Sequence, residues 1–320
     1  MEKNTFATSA YIAAPPEATH TYLGNLANLD EWTLGSRMIE QVDDDTWIGT
    51  ASGYQRTLVY HVRRLDHPRF AGIEWRCGYE RERYFKAYPV LLFPPGYIDP
   101  DSDEPGVYLH WVSVIDPQRR TPMIMEAISA VHRSEIRALK AALERRAGLT
   151  EAAEGRYRIA SDTIYIDAPV DLATEFIGDA RTMERWSHLL RPDGEILRDG
   201  GRFHDEYGQT VDVTFRTHTL ADYRLVEQNF YYPKHDFLQR CPVLLVPCAH
   251  AFGDPAARGL IHHRVTFWKN ADPPRHGKLQ IEDFGAESLN VKRLLEAEAG
   301  HPETFARGLS YAPLAGEPTR

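Results

Sequence analysis

Tyr11-Ile12-Ala13-Ala14-Pro15, near the start of the chain, recurs as Tyr165-Ile166-Asp167-Ala168-Pro169 near its middle, an offset of 154 residues (165 − 11). Trp32 and Trp186 keep that offset. Pro89-Val90-Leu91-Leu92-Phe93-Pro94 recurs as Pro242-Val243-Leu244-Leu245-Val246-Pro247 at an offset of 153 (242 − 89). Arg63 and Arg216, Tyr79 and Tyr232, and His110 and His263 share that second offset. A register that slips by one residue over so long a stretch implies one domain written twice. A chain of 320 residues suits two domains of about 150 residues each. The repeat places them at 1–150 and 156–302, with Glu151–Gly155 as linker and 303–320 as a tail.

The bulk composition, 42% hydrophobic and 26% charged, is that of a soluble globular protein. A net charge of −9 excludes nonspecific nucleic-acid binding, which needs a basic face. No apolar run approaches the ~20 residues of a bilayer span. Met1-Glu2-Lys3-Asn4 lacks the basic-then-apolar order of a signal peptide. Cys77, Cys241 and Cys248 are odd in number and show no CxxC spacing, so they read as reduced thiols. These features predict a cytoplasmic protein without membrane or nucleic-acid partners.

Each copy opens on a strand, 6–12 and 158–166, that a proline stops. Short helices follow over 16–26 and 170–180, since proline suits a first helical turn, with Tyr22 and Phe176 inward. Strand-like runs then recur at 47–51, 56–64, 70–77 and 107–115, and at 203–207, 210–217, 224–231 and 260–268. Short Gly, Asp and Pro turns between them predict an antiparallel meander. A long helix closes the first copy over 122–146, with Ile124, Ile128, Val131, Leu139 and Leu143 on one side. The second copy closes on a shorter one, 286–299. The fold class is α+β, a curved antiparallel sheet around a long C-terminal helix in each copy, with a cavity between them.

The repeated Tyr-Ile-x-Ala-Pro, the short helix and the lone Trp about 17 residues after the proline resemble the START-related helix-grip superfamily (SRPBCC). The run 132–140, His-Arg-Ser-Glu-Ile-Arg-Ala-Leu-Lys, is similar to the end of the first half of bacterial didomain aromatase/cyclases, and 288–294 is a weaker counterpart. That resemblance implies a polyketide-type small-molecule substrate, cyclisation or dehydration, and an acyl carrier protein as partner. It implies no cofactor or metal. The Pro-Val-Leu-Leu-x-Pro runs and the loops after them, 96–106 and 249–259, depart from that family.

Residues with chemistry are then weighed on the repeat. Val59, His61 and Arg63 share one strand face, and the resemblance puts a pocket arginine at Arg63, where a fixed guanidinium fork can hold an enolate. His61 beside it can shuttle protons; the alternative is that both face solvent. Arg216 and His218 share a face opposite Val211, Val213 and Phe215. His110 and His263 are the histidines kept in both copies, as pocket groups or as satisfied core imidazoles. Trp32, Trp186, Tyr79, Tyr232, His188 and His218 are candidate substrate contacts, with core packing as the alternative for the aromatics. Glu74 and Glu227 are possible bases or solvated strand residues. The scattered histidines of the second copy show no metal-site spacing. Arg76, Arg81, Arg83 and Lys86 could receive a carrier-protein phosphate, although Glu80 and Glu82 interleave them. The leading expectation is a polyketide aromatase/cyclase-like enzyme. The alternatives are another ring-forming or hydrolytic reaction on the same fold, or noncatalytic binding of an apolar metabolite.

Overall fold

The computed structural model describes residues 5–51, 54–79, 86–114, 122–270 and 274–300. The first half runs β1 (Thr5–Ile12), α1 (Pro16–Leu23), α2 (Leu29–Trp32), β2 (Ser36–Asp43), β3 (Thr46–Ala51), β4 (Tyr54–Asp66), β5 (Ala71–Tyr79), β6 (Lys86–Phe93), α3 (Pro95–Ile98), β7 (Val107–Val114) and α4 (Pro122–Arg146). The second half repeats the order: β8 (Tyr157–Ile166), α5 (Val170–Ile177), α6 (Met183–Trp186), β9 (Arg191–Pro192), β10 (Gly200–His204), β11 (Thr210–Leu220), β12 (Tyr223–Tyr232), β13 (Phe237–Pro247), α7 (Cys248–Phe252), β14 (Leu260–Lys269) and α8 (Pro274–Glu298). Each half forms a seven-stranded antiparallel sheet, β1-β7-β6-β5-β4-β3-β2 and β8-β14-β13-β12-β11-β10-β9. Among the described residues, no helix is long and apolar enough to cross a membrane.

Proline at the start of α1 removes one N–H that would have no helical acceptor. α4 and α8 both span 25 residues, so the closing helices are equal and the expected shorter second helix is extended at its N-terminal end. One device pins both. Lys140 donates to the carbonyl of Tyr11 and pairs with Glu144, whose Oε1 accepts the amide of Ala13 at 3.0 Å. Lys292, Tyr165, Glu296 and Asp167 reproduce it at a helix offset of 152 (292 − 140). Leu139 and Leu143 face the sheet as expected, but Val131 is exposed and Ile136 takes its place in the core.

Pro-Val-Leu-Leu-x-Pro is a buried strand in both halves, β6 and β13. A proline inside a sheet forfeits a ladder bond. Here Pro89 pairs with Glu74 of β5 and Pro242 with Glu227 of β12, while pairing to β7 and β14 begins one residue later, at Val90 and Val243. The missing N–H therefore falls where the next strand diverges. Gly106 and Gly259 enter β7 and β14 with φ of +98° and +79°, and a Cβ there would meet the carbonyl oxygens of Ile12 and Ile166 at 2.4 and 2.5 Å.

Strand alternation gives each sheet two apolar faces. One faces the helices: Leu58, Tyr60, Val62 and Trp111 in the first half, Val211, Val213 and Phe215 in the second. The other faces the opposite sheet, because a third core joins Leu65, Phe93, Tyr108 and Val112 to Tyr223, Leu244, Ile261 and Phe267. Phe93 packs 4.9 Å from Phe70 and 5.0 Å from Phe267, centroid to centroid. Burying such a ring contributes on the order of 2–3 kcal/mol. The halves thus meet back to back, sheet against sheet.

Candidate functional site

Among the described residues, one pocket on a helix-facing side lies in the second half. It encloses about 220 Å³, lined by Leu189, Leu190, Phe230, Tyr232, Phe284 and, as its buried charges, Arg264 and Glu287. Arg264 stands on β14 and Glu287 on α8, so sheet and helix each supply one charge. Their Nη1–Oε2 distance is 2.6 Å, and both side chains are 4% exposed. Ser187 donates to the other carboxylate oxygen at 2.6 Å. Arg264 lies 4.0 Å from the ring centroid of Phe284 and 5.9 Å from that of Trp186. Its Nε has no hydrogen-bond partner. Burial disfavours the Arg264 charge, yet Glu287 and, more weakly, Cys241 and Asp162 outweigh it and raise the pKa. Burial pushes the Tyr232 phenol up to about 12, with Cys241, Asp205 and Glu287 adding to it, so it remains a proton donor at neutral pH.

The first half holds different chemistry at equivalent places. Sheet offset 153 carries Arg264 onto Trp111, and helix offset 152 carries Phe284 onto His132 and Glu287 onto Glu135. Trp111 stacks on His132 at 4.3 Å, and Glu135 accepts the amides of Leu34 and Gly35 at 2.9 and 3.2 Å. With no cation in Arg264's place, burial raises the Glu135 pKa despite those amides, and burial lowers His132 to about 4.

The sequence candidates divide accordingly. Tyr232 lines the second-half pocket, and Trp186 packs beside Arg264. Trp32 lies in the first-half core, 5.4 Å from Trp75 and edge-on to Trp111. Arg63, His110, His218 and His263 were expected in the cavity and lie instead on the face turned to the other sheet; Arg216 is exposed on that face of β11. The reason is parity: Leu58, Tyr60 and Val62 take the helix side of β4, leaving His61 and Arg63 on the other. His61 is half-buried and bonds Thr46 at 3.0 Å; His188 is exposed. The side chain of Tyr79 lies outside the described residues, as do Arg81 and Arg83.

Between the sheets these groups form three polar clusters. His110 and His263 stack at 5.0 Å with their Nε2 atoms 2.7 Å apart, while Ser9 and Thr163 bond the Nδ1 atoms at 2.7 and 2.6 Å. A short Nε2–Nε2 bond between neutral rings requires one donor and one acceptor, so the two must hold opposite tautomers. Burial keeps His110 well below its ordinary value and His263 down to about 3. Glu74 accepts hydrogen bonds from Tyr223, His250 (2.5 Å) and Arg63 Nη2 (3.1 Å). Glu227 receives Arg69 (2.5 Å), Tyr97 (2.8 Å) and His218 (3.0 Å). Burial would raise both carboxylates, but those donors outweigh it and hold them below their ordinary values. Tyr97 and His250 come from α3 and α7, so the loops that departed from the family pattern carry the bonds between halves. His67, His218 and Glu227 also offer ligand atoms within 4.8 Å of one another. Arg69 already neutralises that carboxylate, so an ion pair satisfies it and a dication would meet a guanidinium.

Sequence reading missed Arg264, Glu287, His250 and Tyr97. Arg264 falls outside a filter that keeps only residues repeated in both copies, and Glu287 lies in the helix, where the offset slips by one more residue.

A duplicated α+β chain, each half an antiparallel sheet with a 25-residue closing helix, is the class these features define. The chain belongs to the family described as Domain of unknown function (DUF8713), whose model matches residues 1–152 and again 159–304. Among solved structures it is similar to the di-domain ARO/CYC StfQ from the steffimycin biosynthetic pathway, at 11% identity and TM-score 0.33, covering 92% of this chain and 99% of that one. It is similar also to the di-domain ARO/CYC BexL from the BE-7585A pathway, at 14% identity and TM-score 0.34, over 96% and 100%. A START superfamily protein from Mycobacterium smegmatis matches 45% of this chain and 99% of its own at 11% identity and TM-score 0.33. No curated protein matches. At these identities and TM-scores the likenesses carry no argument, and the site's chemistry rests on its own residues.

Proposed function

We propose that the second half binds a compact, carbonyl-bearing molecule of polyketide type beside Arg264 and promotes its cyclisation or dehydration. The observation that carries this reading is the buried Arg264–Glu287 pair on the pocket wall, where the first half has Trp111. Arg264 has an unpartnered Nε and holds a carbonyl oxygen as it gains charge. Glu287 takes the proton from the adjacent carbon, and the Tyr232 phenol donates to the departing or protonating oxygen. Holding the reacting carbons together supplies the rest. We take residues 1–150 and 156–302 as two helix-grip domains, of which the second is the active one, with a carrier protein as a possible source of substrate.

A stable β-diketone, 1-phenylbutane-1,3-dione, tests the reading. Wild-type protein is expected to accelerate hydrogen–deuterium exchange at its central carbon, and Arg264→Met and Glu287→Gln to abolish the acceleration. Equal exchange in both variants would sink the assignment. One observation favours a second reading, noncatalytic binding: Arg264 and Ser187 already occupy both oxygens of Glu287. Saturable binding of the diketone without exchange would select it.

A further inference from the structure

A second cleft, of about 330 Å³, opens at one end of the interface between halves. Tyr157, Phe237 and Phe267 line it beside polar groups, namely three aspartates, Lys269 and Arg240 of β13. The cleft exists because β13 pairs with β14 only from Val243 onward, leaving the stretch around Arg240 uncovered on that side. At this volume it falls at the lower end of small-ligand pockets.

Arg240 is 8% exposed, and its Nε has no partner. Its one hydrogen bond to a side chain among the described residues is Nη1 to the neutral Oδ1 of Asn229 at 3.2 Å. It shares the ring of Tyr97 with Arg69, the two guanidinium carbons lying 5.1 and 5.2 Å from the centroid. Glu227, the nearest buried carboxylate, is held by Arg69 and Tyr97. Two of the three acids around the cleft are engaged as well. Asp99 accepts Tyr157 at 3.0 Å and pairs with Lys269 at 3.3 Å, and Asp236 accepts Tyr231 at 2.8 Å; Asp101 is exposed at the rim. Among the described residues Arg240 therefore has no carboxylate in ion-pair contact and feels Glu227 only at longer range, an arrangement that costs stability. Burial, and then Arg69, lowers its pKa, in keeping with that cost. The fold does not require the charge, since offset 153 carries Arg240 onto Ala87.

We infer that this cleft binds a small aromatic or apolar carboxylate, whose anionic group pairs with Arg240 and whose body lies against Phe267 and Tyr157. Arg suits that role because its fork meets a carboxylate with two parallel donors. The site is separate from the pocket at Arg264, and its chemistry stands whether or not that pocket is catalytic.

Calorimetric titration with 2-naphthoate and its neutral isostere 2-naphthamide tests the inference on the full chain. One-to-one binding of the acid is expected, about tenfold or more tighter than the amide, since a charge-assisted bidentate contact separates them. Arg240→Met should weaken the acid by about tenfold or more while melting at the same or a higher temperature, because it removes an uncompensated charge. Arg264→Met should leave naphthoate affinity within about twofold, because Arg240 and its neighbour Gln239, which lines the Arg264 pocket, turn to opposite faces of β13. Equal binding of acid and amide, no binding of the acid, unchanged affinity in Arg240→Met, or loss in Arg264→Met instead would each overturn it. A lower melting temperature for Arg240→Met would show an internal partner and overturn it too.

Discussion

Replacing Arg264 with Met strips the cation from a pair whose members are both 4% exposed. The remaining Glu287 keeps Ser187, at 2.6 Å, as its hydrogen-bond donor. Removing one partner of a buried ion pair typically costs about 3–5 kcal/mol, because the other is left charged and uncompensated. The Ser187 bond offsets part, so a loss of about 3 kcal/mol is expected. For a chain with halves of this size that corresponds to a fall of about 6–12 °C in Tm. The double variant Arg264→Met/Glu287→Leu removes both charges and should regain most of the loss, since well-packed apolar groups replace a buried pair nearly neutrally. Urea unfolding of wild type, single and double variants at pH 7 measures this, with equal m-values required for the comparison. A single-variant loss under about 1 kcal/mol, or a double variant as unstable as the single, would refute the claim that burial rather than contact sets the strength of this pair.

Stability should fall as pH drops from 7 to 5. His67 and His132, held down to about 4, and His262 and His263, down to about 3, stay neutral in the folded protein, while the unfolded chain takes up protons below about 6.5. Each such histidine subtracts about 1.4 kcal/mol per pH unit in that window, and a flat urea midpoint between pH 7 and 5 would refute it. Glu74 and Glu227 act lower: their lowered pKa values add stability above about 4.5 that disappears as pH falls through them, so Glu227→Gln should flatten the acid limb only. Tyr223→Phe and Tyr97→Phe each delete a donor to a buried carboxylate and should cost about 1.5–3 kcal/mol by urea unfolding. Nitrogen-15 NMR of His110 and His263 at pH 7 should report one Nε2–H and one Nδ1–H imidazole; identical tautomers would exclude the short bond between them. Gly106→Ala and Gly259→Ala should each lower Tm measurably, as φ is positive and a Cβ would overlap a carbonyl oxygen.

The repeat made the architecture legible because Tyr-Ile-x-Ala-Pro and the Pro-bounded strands are local signals: breakers and alternation act within a few residues. The meander accounts for the order from β2 to β7, whereas the pairing of β1 with β7 and of β8 with β14 is long-range. Boundaries were harder where tertiary contacts override local preference. The second closing helix includes Gly277 and Gly285, poor helix formers that shorten its sequence reading, yet the chain is helical from Pro274. The repeat filter correctly grouped His110 with His263, Arg63 with Arg216, and Trp32 with Trp186. It rejected Arg264, whose interest lies in having no repeated counterpart.

By itself the sequence determined two copies of one α+β unit, the longer strands and the closing helix in each, and which residues share a strand face; β2, β9 and the short helices α2, α3, α6 and α7 emerged only in the structure. Period-two alternation fixes that last point and is silent on which face lies inward when both are apolar. The tertiary structure decided it, by packing the two sheets back to back through a third core. That packing turned Arg63, His110, His218 and His263 toward the other half, where they bind the halves together. It left Arg264 and Glu287, one from a strand and one from a helix 23 residues later, to meet in the pocket. Their meeting depends on how α8 crosses β14, a long-range geometry that no local spacing encodes.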